Sequence, residues 1–112
     1  MEGFAKRVAE ALVKASPKPG RRTENDTDEQ RVENLLRAGK YGPYVADGDP
    51  HEWGGGGAVA IIYMEQKGDE GDCRVPLSYY GDGFDVAFTA SDYLGDYYIE
   101  FVNAAVAVVY PA

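Results

Sequence analysis

The chain has 112 residues, of which 45% are hydrophobic and 12% aromatic, and this composition is typical of a globular protein and not of a disordered one. Its single cysteine excludes an intrachain disulfide, and no apolar run approaches the length of a membrane span. Because the N-terminus also lacks the pattern of a signal peptide, we expect one domain over residues 1–112, located in the cytoplasm.

The net charge of −8 is unevenly distributed along the chain. Residues 1–40 contain nine Lys and Arg against seven Asp and Glu, whereas residues 41–112 contain two against twelve. All nine tyrosines also follow residue 40. Such an acidic excess disfavours contact with bare nucleic acid and with anionic membranes, and it favours a basic protein surface. The simpler interpretation, that the charge keeps a small protein soluble, stays open.

Two amphipathic helices are predicted in residues 1–39. Apolar residues recur at helical spacing over 2–15, and the proline-rich segment that follows ends this helix. A second helix is predicted over 28–38, because Thr27 and Gln30 match a capping box at its start. These residues are expected to form the helical part of the domain.

The segment that follows contains turn residues and then the first strands. Residues 40–57 are rich in glycine, proline and aspartate and are predicted as a loop. Residues 58–65 form an apolar run of strand-forming residues, and residues 67–72 have the polar composition of a hairpin connection. A strand over 73–80 completes this predicted hairpin.

The remaining strands are predicted from alternation and composition. Residues 84–90 alternate, which places Phe84, Val86 and Phe88 inward and the residues between them outward. Residues 91–110 fit a helix by spacing, but their content of Tyr, Ile, Phe and Val favours strands over 97–102 and 105–110. The predicted fold is therefore α+β, with two N-terminal helices followed by a four- to five-stranded antiparallel sheet in residues 58–110.

One short segment contains several potential metal ligands. Asp47, Asp49 and His51 lie within five residues, but the rest of a calcium loop is missing and no second histidine completes a zinc site. We therefore favour an acidic turn whose carboxylates bond backbone amides, and we predict no metal and no cofactor. A small metal-dependent enzyme or metal-binding protein remains an alternative.

No catalytic motif is complete in this sequence. Cys73 follows Asp72, whose negative charge disfavours a reactive thiolate. The glycines of residues 54–57 precede neither a Lys-Ser/Thr pair nor a predicted helix, so they indicate a loop that positions Trp53 and not a phosphate site. We predict no catalytic residue, and we expect the protein not to be an enzyme.

The functional prediction depends on tyrosines that alternate with Asp and Glu over residues 79–100. Tyrosine offers a large contact area at low cost in rotamer entropy, and neighbouring carboxylates complement Arg and Lys on a partner. The predicted partner-binding residues are Trp53, Tyr80, Asp82, Asp85, Asp92, Tyr93, Asp96, Tyr98 and Glu100.

These observations predict a small protein-binding module or inhibitor that docks on a basic surface of a partner protein. Proteins that bind nucleic acid are one class of such partners. In size, charge and coarse layout, though in no motif, the chain is similar to viral and mobile-element inhibitors that imitate DNA, such as glycosylase inhibitors and anti-restriction and anti-CRISPR proteins. The alternative is a structural or accessory subunit that forms a homodimer through its C-terminal strand.

Overall fold

The computed structural model describes residues 3–16, 25–37, 43–63, 83–103 and 106–112. In chain order these ranges contain helices α1 (Phe4–Ala15) and α2 (Asp28–Leu36), strands β1 (Tyr44–Asp47) and β2 (Ala60–Tyr63), helix α3 (Gly83–Leu94), and strands β3 (Tyr97–Phe101) and β4 (Val106–Pro111). The α+β class is confirmed. None of the helices in this described part has the length and hydropathy to span a bilayer.

The strands form an antiparallel sheet in the order β1-β2-β4-β3. Strand β4 is interior, with Ala107 opposite Ile62 on β2 and Val109 opposite Ile99 on β3. Both backbone edges of β4 are therefore already paired. A dimer formed by edge-to-edge pairing of this C-terminal strand is incompatible with the sheet, and a fifth strand would have to lie outside the described residues.

Apolar side chains cover both faces of the sheet. On one face, alternate residues of the strands pack against α1, α2 and α3, with Val8, Leu12 and Leu35 fully buried between the layers. On the opposite face, Ile61 and Val108 belong to a second, smaller buried cluster. The sheet residues on the helix side are Val45, Ala60, Ile62, Tyr97, Ile99, Phe101, Ala107 and Val109.

Side chains from other elements bond both ends of helix α1. Gly3 precedes the helix and offers no side-chain cap, so the N–H of Ala5 donates to the Asp47 carboxylate of β1 over 2.7 Å. At the other end, the buried Arg31 of α2 donates to the carbonyl of Ser16 over 3.2 Å. Because helix ends leave backbone groups unpaired, these contacts fix α1 against the sheet and against α2.

The two N-terminal helices agree with the sequence prediction in position. Helix α1 begins at Phe4, and α2 ends at Leu36, two residues before the predicted end. The predicted capping box is present, since Thr27 Oγ1 accepts the N–H of Gln30 and Gln30 Oε1 accepts the N–H of Thr27. The N-terminal boundary of α2 could therefore be predicted from local chemistry alone.

The predicted strand over 84–90 is wrong, because these residues belong to α3. Val86, Ala90 and Leu94 follow helical spacing, and all three are buried in the core that includes α1. Ala87, predicted outward, is 3% exposed, and Phe88, predicted inward, is 78% exposed. A third helix therefore interrupts the predicted order of two helices followed by strands.

The remaining sheet predictions had mixed outcomes. The predicted loop over 40–57 contains strand β1, whose four residues are too few to show alternation, and strand β2 begins at Ala60, two residues after the predicted start. Strands β3 and β4 confirm the preference for strands over a helix in residues 97–110. The hairpin connection at 67–72 and the strand at 73–80 lie outside the described residues.

Candidate functional site

A groove of about 520 Å³ lies between α3 and β3, the strand at one edge of the sheet. Residues of β3 alternate between the two faces of the sheet, so the groove is lined by Ile99 from the helix side and by Tyr98 from the opposite side. On the α3 wall Ala87 is buried, whereas Phe88 is 78% exposed. The groove therefore combines a partly buried apolar lining with a large exposed aromatic side chain.

Ser91 joins the two walls of this groove. Its hydroxyl donates to the carbonyl of Ala87 over 2.8 Å and accepts the N–H of Ile99 over 2.9 Å. The N–H of Ile99 thus bonds to α3 and not to β4. Because Ser91 satisfies this backbone group in the middle of the edge strand, a peptide strand cannot pair with it there.

The charged groups at this groove are all acidic. Asp92 on α3 and Glu100 on β3 line opposite walls, and both side chains are exposed. Neither carboxylate has an ion pair within the described part of the chain, and the described lining contains no Lys or Arg. The described residues thus give the groove a negative potential and place no cation in its lining to neutralise it.

Tyr110 connects the groove to the opposite face of the sheet. The rings of Tyr98 and Tyr110 lie 5.4 Å apart between centroids, and the Tyr110 hydroxyl donates to the carbonyl of Gly54 over 2.7 Å. Burial raises the pKa of Tyr110 above its ordinary value of 10.0, and the charges of Glu100, Tyr98 and Asp49 raise it further. Glu100 of the groove and Asp49 of the loop after β1 therefore both act electrostatically on Tyr110 of β4.

The loop after β1 places Trp53 at the surface, directly before the glycine whose carbonyl Tyr110 bonds. The Asp49 carboxylate accepts the N–H groups of Trp53 and Gly54 over 2.9 and 2.6 Å. Glu52 has a φ of 53°, and Gly55 and Gly56 have φ values of 74° and 92°, which suit glycine because it has no Cβ. This arrangement leaves the indole of Trp53 44% exposed.

The carboxylates of the acidic turn bond backbone amides, as predicted for a turn of this composition. Asp47 bonds the first turn of α1, and Asp49 bonds the Trp53 loop, while His51 is exposed. Among the described residues there is no group of three or more side chains placed to hold a metal ion. The geometry of these two aspartates is accounted for by their amide contacts.

The structure brings some of the predicted partner-binding residues together and separates others. Asp92, Tyr98 and Glu100 line the same groove, and Tyr98 contacts Tyr110, whose hydroxyl bonds the carbonyl of Gly54, the residue after Trp53. We name this set, together with Phe88, the acidic-aromatic surface. It consists of Trp53, Phe88, Asp92, Tyr98, Glu100 and Tyr110.

Tyr93 and Asp96 lie apart from the groove lining. The ring of Tyr93 is 48% exposed, and the Lys14 ammonium of α1 lies 4.5 Å from its centroid. Asp96 is exposed in the turn between α3 and β3, where its carbonyl accepts the N–H of Ala112. One face of Tyr93 is therefore already occupied by a cation.

Sequence reasoning missed Phe88 and Tyr110, and part of the predicted site is not described. Phe88 was assigned to the core because the segment was read as a strand, although its i,i+4 spacing to Asp92 places both on one side of a helix. Tyr80 and Asp82 lie outside the described residues, as does the side chain of Asp85 in the first turn of α3.

Comparison of the chain with protein-family models, with curated proteins and with solved structures finds no match.

Proposed function

We propose that the protein is a binding module whose acidic-aromatic surface docks on a basic surface of a partner protein, and that it acts by binding and not by catalysis. The observation that supports this proposal is the exposure of Phe88, whose side chain is 78% exposed. It lines the same groove as Asp92 and Glu100, and these two carboxylates have no ion pair in the described structure. A large apolar side chain and charges of one sign, combined in one place, are typical of recognition surfaces.

The two kinds of group contribute differently to such a complex. Complete burial of a phenylalanine side chain stabilises a contact by roughly 1.5–3 kcal/mol. Exposed carboxylates contribute less to affinity, but they accelerate encounter with a basic partner and disfavour acidic ones. Phe88 is therefore proposed as the source of affinity, and Asp92 and Glu100 as the source of specificity.

A narrower form of the proposal makes the partner a nucleic-acid-binding protein and makes this chain its inhibitor. An acidic protein that covers a basic site competes with the phosphates that the site binds. DNA-mimic inhibitors of viral or mobile-element origin act in this way. The supporting feature is the acidic excess after residue 40, which includes the two carboxylates of the groove.

Affinity capture with charge-matched variants tests the proposal. The immobilised wild-type protein, the Asp92→Asn/Glu100→Gln variant and a Glu29→Gln/Glu33→Gln control are exposed to the same lysate at low salt. The control removes two exposed carboxylates from α2 and so changes the net charge equally. Bound proteins are identified by mass spectrometry after elution with increasing salt.

The proposal predicts a partner that the wild-type and control proteins retain and that the Asp92→Asn/Glu100→Gln variant loses. That partner should elute as the salt concentration rises, because exposed charges are screened. Displacement of the partner by excess duplex DNA would support the inhibitor form. If every captured protein is retained equally by the three baits, the acidic-aromatic surface has no binding function.

A further inference from the structure

We infer that the groove between α3 and β3 receives the apolar face of a basic amphipathic helix from the partner protein. This inference rests on the proposed function and specifies the partner's chemistry. Its basis is the combination of an apolar groove, a blocked strand edge and a carboxylate on each wall.

The blocked strand edge argues against an extended peptide. β3 is an edge strand, and an edge strand commonly recruits a partner by adding a further strand through main-chain hydrogen bonds. The central N–H of this edge, that of Ile99, already donates to Ser91. Side chains inserted between the walls are therefore the remaining mode of recognition.

The size of the groove indicates which part of the partner enters it. Two turns of an α-helix occupy a cylinder on the order of 900 Å³, with a width of ~10 Å. The groove of about 520 Å³ admits side chains from one face of such a helix. The helix itself would lie over the rim, in contact with Phe88.

The charges on the two walls match the flanks of such a helix. Asp92 projects from α3 and Glu100 from β3, so the carboxylates lie on the two sides of the apolar lining. An amphipathic helix with Arg on both sides of its apolar face places one cation near each carboxylate, because residues three and four apart share a face. An acidic or uncharged helix lacks this complementarity.

Synthetic peptides of defined pattern test this inference on the full chain. The main probe is an amphipathic helix of Leu, Ala and Arg. The comparison probes are a scrambled peptide of the same composition, a version with Glu in place of Arg, and an extended peptide of alternating Val and Arg. Fluorescence anisotropy of the labelled peptides measures each dissociation constant.

The amphipathic probe should bind at least about tenfold more tightly than the scrambled and Glu-containing probes. Phe88→Ala should weaken its binding by about tenfold, which is the effect of truncating an aromatic anchor, and Phe88→Leu should restore most of the affinity. The Asp92→Asn/Glu100→Gln variant should also weaken binding, whereas Glu29→Gln/Glu33→Gln should not. Phe88 is exposed, so its replacement leaves the fold intact, and circular dichroism verifies this.

Equal binding of the scrambled and amphipathic probes would show that binding depends on charge alone, and this result would overturn the inference. Tighter binding of the alternating Val and Arg peptide would overturn it in favour of strand addition. In either case, partner capture that still depends on Asp92 and Glu100 would leave the proposed function standing. If the Asp92→Asn/Glu100→Gln variant captures the same proteins as the wild type, the proposed function is overturned instead.

Discussion

The contact between Gly3 and Asp47 gives a direct test of how α1 is attached to the sheet. The N–H of Ala5 donates to the Asp47 carboxylate over 2.7 Å, and this aspartate replaces the side-chain cap that Gly3 cannot provide. A Cβ atom added at Gly3 would collide with the same carboxylate. The Gly3→Ala variant must therefore displace Asp47 and break the hydrogen bond to the helix.

The magnitude follows from two opposing effects. Loss of a capping carboxylate lowers the free energy of unfolding by about 1 kcal/mol, with a range of roughly 0.5–2. Gly3 has a φ of −78°, which alanine also adopts, so Gly3→Ala gains about 0.4–1 kcal/mol by restricting the unfolded chain. In the Asp47→Ala background, where no carboxylate remains to be displaced, only this gain should be seen.

Urea denaturation of the wild-type protein, both single variants and the double variant measures the coupling. We expect the change in unfolding free energy caused by Gly3→Ala to be about 1 kcal/mol less favourable in the wild-type background than in the Asp47→Ala background. Asp47→Asn, which keeps an acceptor oxygen, should lose less stability than Asp47→Ala. If Gly3→Ala has the same effect in both backgrounds, to within about 0.3 kcal/mol, the proposed cap does not hold α1.

Three further variants test the contacts of the helices and of Tyr110. Ser91→Ala removes the acceptor of the Ile99 N–H and should lower the free energy of unfolding in urea by about 1–3 kcal/mol; a loss below about 0.5 kcal/mol would contradict the bridging role. Thr27→Ala should lower the free energy of unfolding by about 1 kcal/mol and therefore lower the thermal midpoint, whereas Thr27→Ser should retain the cap. The raised pKa of Tyr110 means that the folded protein holds the phenol proton more tightly than the unfolded chain. This stabilisation is complete below the ordinary value of 10.0 and is lost as pH rises through the raised pKa. The difference in unfolding free energy between wild type and Tyr110→Phe should therefore shrink as pH rises above 10.0, and a constant difference would refute it.

The sequence predicted helices where local signals agree with one another. In α2 the capping box of Thr27 and Gln30 and the apolar spacing indicate the same element. In α3 two periods coexist, since the apolar residues of 84–90 alternate while Val86, Ala90 and Leu94 also follow a helical repeat. Packing against α1 selects the helix, and that packing depends on residues more than 70 positions away in the sequence, such as Leu12.

The candidate site was predictable in composition but not in arrangement. Alternation of tyrosine and acidic residues singled out Asp92, Tyr98 and Glu100, and the structure places these three in one groove because β3 is a strand and α3 precedes it directly. The contact of Tyr98 with Tyr110 depends on the register of β3 against β4. The sequence contains no local signal for that register, so the connection to the Trp53 loop was not visible in it.

The fold changes the meaning of the uneven charge distribution along the chain. Cations of α1 lie beside aromatic rings, since Arg7 lies 5.0 Å from the ring of Phe4 in the same helix and 5.6 Å from that of Tyr97 on β3, and Lys14 lies over Tyr93 on α3. These rings already have the cation that a partner would otherwise supply. At the groove, Phe88 and Tyr98 have carboxylates beside them and no described cation on their faces. Among the described residues, the rings on the α1 side of α3 therefore have a cation beside them, whereas those at the groove have carboxylates, and we propose the side toward β3 as the one that Arg or Lys of a partner contacts.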